Sequence, residues 1–157
     1  MGQRVRLLRG ESRAELLEPA LSSARLSTQR FAKPIARMLS RSVLIAVERL
    51  PVGGFTWPML PTNLFAPIVL LNTRVPERGR YELARLLLHE GAHLCGVVWP
   101  EWRNWVNTFA RYGMFFVRWR DRRYPVFPHN RIYGVQVNSA DRVAQAILEE
   151  AQAKGWR

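Results

Sequence analysis

Hydrophobic positions change their period several times along the chain, and each change predicts an element. Ser12-Arg13-Ala14-Glu15 has the form of a capping box, which predicts a short helix running to Pro19 or slightly beyond. In "TQRFAKPIARMLSR" the residues Phe31, Ile35 and Leu39 recur at four-residue spacing while Arg30, Lys33, Arg37 and Arg41 fall on the opposite side. This is an amphipathic helix, with Ser27 available as its cap and Pro34 as a point for a kink. "SVLIAVERL" is a β-branched run and predicts a strand, closed by a turn at Pro51 to Gly54. "FTWPM" can form only a short edge segment, because Pro58 has no ladder donor. "APIVLLN", residues 66–72, predicts the third strand, and from Pro76 the pattern is helical again until Gly96.

Beyond Gly96, "PEWRNWVNTFARYGMFFVRWR" sets Trp102, Trp105, Phe109, Tyr112, Phe116 and Trp119 at alternating spacings of three and four. The spacing predicts a helix with an aromatic packing seam, or else a platform on which bases stack beside Arg111, Arg118 and Arg120. "DRRYPVFPHN" predicts a loop, and "NSADRVAQAILEEAQAKG" a last helix capped by Asn138 or Ser139. The elements add up to an α+β fold in a single domain over 1–157. Residues 1–26 form a helical N-terminal extension in this reading, and 97–136 an aromatic-rich helix and loop insertion.

A chain of 157 residues can bury a core without disulfides, and Cys95 is its single cysteine. The basic start "MGQRVRLLRG" runs into polar "ESR" rather than an apolar core, and no apolar run approaches the ~20 residues that cross a bilayer. These features predict a cytoplasmic protein without a membrane span. The net charge of +12 comes from 22 arginines and two lysines, Lys33 and Lys154. A field of that sign favours nucleic acid or another acidic partner, although arginines scattered from Arg4 to Arg142 also fit an ordinary solvated surface.

The chemistry concentrates in "RYELARLLLHEGAHLCG", Arg80 to Gly96. On a helix, residues four apart share a face, so His89 and His93 can point ring nitrogens at one ion. Glu90 projects around another part of the helix and can take a proton from a water that the ion polarises. Two of the three histidines in the chain are spent here, among uncharged neighbours Leu88, Gly91, Ala92 and Leu94.

Over roughly Ser27 to Gly96 the chain resembles the zincin metallopeptidases, whose active-site helix carries His-Glu-x-x-His. The resemblance implies a small twisted sheet with helices behind it and a zinc ion held by His89 and His93. It further implies Glu90 as general base, and hydrolysis of a peptide or protein substrate laid along the edge strand, for which "PIVLLN" is the candidate.

A catalytic zinc ordinarily takes three protein ligands and a water. The metzincin pattern would put its third histidine where Trp99 stands, and the Spartan-type pattern would put it at Val98. In outline "VNSADRVAQAIL" is similar to the gluzincin Glu-x-x-Ala-Asp-x-x-Ala helix, with Val137 in place of the ligand glutamate and Asp141 at the position that usually orients a ligand histidine. Asp141 is therefore the first candidate for the third ligand, His129 the alternative, with Glu101 and other carboxylates behind them. Tyr112, Tyr124 and Tyr133 are candidates to steady an oxyanion. A different class of function stays open beside the peptidase: a zincin-fold module with little or no catalysis that binds a protein or nucleic acid through its basic, aromatic-rich surface.

Overall fold

The computed structural model describes residues 4–48, 50, 53–56, 67–95, 116–119, 122–125 and 139–157. Among them are strands β1 (Val5–Leu8), β2 (Val43–Val47), β3 (Gly54–Thr56) and β4 (Ile68–Asn72), which form one mixed sheet in the order β1-β2-β4-β3. β2 and β4 run parallel, with Leu44 opposite Val69 and Ala46 opposite Leu71, while β1 and β3 pair antiparallel on the outside. The helices are α1 (Gly10–Leu26), α2 (Ala32–Arg41), α3 (Arg80–Leu94) and α4 (Ser139–Ala153). A separate hairpin joins β5 (Phe116–Trp119) to β6 (Arg122–Pro125). The fold is α+β, as the hydrophobic pattern predicts.

Burial alternates along β2 and β4, so Leu44, Ala46, Val69 and Leu71 turn to the core. Helix α3 lies at the centre of the packing, touching α1, α2, α4 and β3. Its Leu83, Ala84, Leu87, Leu88, Ala92 and Leu94 are buried, and each large side chain among them contributes roughly 1.5–3 kcal/mol by leaving water. The histidine motif is therefore carried on the most constrained helix of the domain.

Several predicted elements come out differently. In the N-terminal segment β1 pairs with β2, and α1 buries Leu17, Ala20 and Ala24 in the common core. Four residues, one of them Arg6 and only Leu8 of them buried, carry too little apolar signal to announce a strand. The capping box does not form, because α1 starts at Gly10 and Ser12 Oγ donates to the Arg9 carbonyl at 3.0 Å. α1 continues through the buried Pro19 to Leu26, where Ser27 ends it instead of starting α2. Pro34 falls in the first turn of α2, where its missing N–H has no helical acceptor to lose, so it needs no kink.

The strand "PIVLLN" is not an edge. It is β4, flanked on both sides, and β3 forms the edge. Continuous apolar residues on both faces suit an interior strand. The helix predicted through Trp119 and the loop predicted from Asp121 give way to β5 and β6 over their described residues, Phe116–Trp119 and Arg122–Pro125. Trp102, Trp105, Phe109 and Tyr112 lie outside the described residues, as do Glu101, His129, Tyr133 and Val137.

Candidate functional site

α3 begins after Gly79, whose φ of 101° turns the chain out of the 3-10 turn Pro76–Arg78 in a conformation that favours glycine. Three turns later it presents His89 and His93 on one face. Their rings meet edge to face, centroids 4.5 Å apart and planes at 89°. The two Nε2 atoms approach to 2.9 Å. Two ~2.0–2.1 Å zinc–nitrogen bonds at a tetrahedral angle separate their nitrogens by roughly 3.3–3.4 Å, so the contact is a hydrogen bond between the rings, and a shift of a few tenths of an ångström would let both face one ion.

The opposite edge of the His89 ring is occupied. Its Nδ1 lies 2.9 Å from Asp141 Oδ1, contributed by the first turn of α4. Asp141 thus stands behind the ring rather than beside the Nε2 pair, and the contact fixes Nδ1–H as donor and leaves Nε2 its lone pair. Asp141 is itself held from α3. Arg85 Nη1 reaches Oδ1 at 3.3 Å, while its Nε and Nη2 donate to Glu82 Oε2 at 3.2 and 3.0 Å. A chain of contacts therefore runs Glu82, Arg85, Asp141, His89. Arg85 carries a signal in sequence, since it lies four residues before His89 on the same helix face.

Glu90 lies in the seam between α3 and β3, and only 3% of its surface is exposed. Burial pushes its carboxyl above the usual carboxylate range; the neighbouring His89 and hydrogen bonds donated by the Thr56 hydroxyl and backbone N–H pull it back. Gly54 makes room for it: a Cβ at Gly54 would lie 3.2 Å from both Glu90 Cγ and Oε1. The carboxyl is thus bonded to the edge strand of the sheet. Thr56 and Gly54 had no mark in the sequence, because what singles them out is a neighbour on another element.

The two residues between Glu90 and His93 are small for a packing reason. A Cβ on Gly91 would come within 2.6 Å of Ile35 Cγ2 and 3.2 Å of Leu39 Cγ, so α2 crosses α3 directly over Gly91. Cys95 caps α3 with its backbone, and burial pushes its thiol up to about 11, which suits an inert side chain rather than a ligand or nucleophile.

Among the described residues no three His, Cys, Asp or Glu side chains gather as a metal-holding group. His89 and His93 are the donors placed together, and His129 and Glu101, the other candidates, lie outside the described residues. Tyr112 and Tyr133 lie outside them too, and of Tyr124 the structure gives only its place in β6. No protein-family model, curated protein or solved structure matches the chain.

Proposed function

We propose that this protein is a zinc-dependent peptidase of the zincin type. The observation that carries the reading is the pair of Nε2 atoms 2.9 Å apart with the far edge of His89 anchored on Asp141. Two imidazoles this close on one helix face can both turn a nitrogen to one ion. His89 and His93 would hold the zinc, with a third donor from outside the described residues. Asp141 would hold His89 in the Nδ1–H tautomer.

Bound zinc supplies Lewis-acid polarisation of the scissile carbonyl and of an attacking water. The protein's own part falls to Glu90 and β3. The Glu90 carboxylate accepts the proton of the attacking water and returns it to the leaving amine, and a pKa raised by burial brings it closer to the working pH for both transfers. An extended peptide added to the outer side of β3 would run past the strand to which Glu90 is bonded.

The test is elemental analysis of purified protein beside cleavage of an unstructured protein substrate. About one zinc per chain, lost in His93→Ala, with cleavage abolished in Glu90→Gln at unchanged zinc content, is the expected result. Full cleavage by Glu90→Gln at equal folding and zinc content would sink the peptidase reading. A wild-type protein that takes up no zinc would sink the metal.

A further inference from the structure

Residues 19–47 contain five cations, Arg25, Arg30, Lys33, Arg37 and Arg41, and no Asp or Glu. Helix α2 lies within this stretch and has no acidic residue in its first turn, although an acid there would be favoured by the helix dipole. Arg30, Lys33 and Arg37 stand exposed just before and along its outer face. Lys33 and Arg37, four residues apart on α2, are separated by about 6 Å along its axis, close to the repeat of phosphates along an extended nucleic-acid strand. Like charges four apart oppose helix formation. Among the described residues, ion pairs engage Arg80, Arg85 and Lys154 but none of these three.

Beside the ridge, Lys33 and Arg37 flank an open groove of about 380 Å³ between α2 and the end of α3. Its other described lining residues are Pro34, Met38, Leu94 and Cys95, an apolar set. Arg30 lies 5.4 Å from the centroid of Phe31, a stacked pair at the near end of the ridge. A lipid surface fits poorly, because the apolar side of α2, Ala32, Ile35 and Leu39, is fully buried against the core and cannot enter a bilayer.

We propose that α2 and this groove bind single-stranded nucleic acid, with phosphates on Arg30, Lys33 and Arg37 and an unstacked base against Met38, Leu94 and Cys95. Cations along a backbone track are one part of sequence-tolerant strand binding and a surface that receives bases is the other; here that surface is aliphatic, with Phe31 at the near end of the ridge. The groove reaches the C-terminal end of α3 at Leu94 and Cys95, so a bound strand would lie beside the end of the histidine helix. The proposal stands whether or not the helix holds zinc.

The experiment is fluorescence anisotropy of a labelled oligothymidine about twenty nucleotides long with the full-length protein, from about 50 to 200 mM salt. Three phosphate contacts predict a slope of about −2 in log affinity against log salt, at roughly 0.7 per contact for a single strand. Arg30→Gln/Lys33→Gln/Arg37→Gln should weaken binding at least about tenfold and remove most of that slope. The control Arg4→Gln/Arg6→Gln/Arg9→Gln, with the same change in charge, should stay within about threefold of wild type. Met38→Asp, which puts a like charge where the base would lie, should weaken binding at least about fivefold. Equal losses in both triple variants would show a diffuse charge effect and overturn the proposal. So would no binding at about 50 mM salt, a Met38→Asp variant that binds as wild type does, tighter binding to a duplex, or binding confined to anionic vesicles.

Discussion

Asp141 and Arg85 show how much of this site is carried by single contacts. Asp141→Asn keeps the size of the side chain but no longer sets the tautomer of His89, and zinc affinity measured by chelator competition should fall about 10–100-fold. Arg85→Met acts one contact further out, through Asp141, so its loss should be smaller, about 3–10-fold, with Arg85→Lys recovering part of it. An Arg85→Met variant with wild-type zinc affinity would make that arginine a surface residue only. Gly91 is decided by sterics alone. The missing Cβ would sit 2.6 Å from Ile35 Cγ2, so Gly91→Ala must displace α2 and should destabilise the protein by about 1–3 kcal/mol in urea unfolding, despite the better helix propensity of alanine. An unchanged midpoint would mean that α2 and α3 are not in contact there.

At the scale of elements, the helix ends are tied by side chains from other helices. The Arg13 guanidinium on α1 donates to the carbonyls of Leu39, Ser40 and Ser42, closing the C-terminus of α2 with a charge of the favourable sign. Glu150 on α4 accepts from Ser27 Oγ, Thr28 N–H and Thr28 Oγ1 at 2.8, 2.9 and 2.7 Å, and from Lys154 Nζ at 2.7 Å. These donors, Lys154 first, hold its carboxyl well below the usual carboxylate range. A depressed pKa stabilises the fold above the unfolded value, near ~4.3, and that contribution is lost as pH falls through the folded value. Glu150→Gln should therefore be less stable than wild type at neutral pH, with the gap closing below about pH 4 in thermal melts. A gap that persists unchanged into acid would assign the effect to packing.

Over the whole molecule, the C-terminus returns to the start of the chain and closes the helical layer. Gly155, at φ 90°, turns the chain out of α4, and Trp156 N–H bonds back to the Ala151 carbonyl at 2.9 Å. The indole is buried, donates to Ser22 Oγ at 2.8 Å and lies under Arg80, which pairs with Glu18 at 2.6 Å. Trp156→Ala should cost about 3 kcal/mol and loosen α4 against α1. Because Asp141 rides on α4, zinc affinity should fall with it, although Trp156 lies at the other end of the helix. Stability lost without any change in zinc affinity would separate the two ends. No helix among the described residues is long and apolar enough to cross a membrane.

What the sequence determined by itself is what local periodicity encodes. Four-residue recurrence placed α2 and α3, β-branched runs placed β2 and β4, and the spacing of His89 and His93 put two imidazoles on one face, because side chains one helical turn apart meet wherever the helix lies. The tertiary structure decided everything that depends on a partner distant in sequence. β1 exists because β2 pairs with it, and β4 lies inside the sheet because β3 covers its outer side. Asp141 holds the back of His89 because α4 packs across α3, fifty-two residues away in sequence. Glu90 turns to Thr56, and Gly91 must be small, because β3 and α2 press on α3 from two sides. Such contacts have no period in the chain, since a residue's spacing to its neighbours in space is set by the packing of whole elements and not by the pitch of its own.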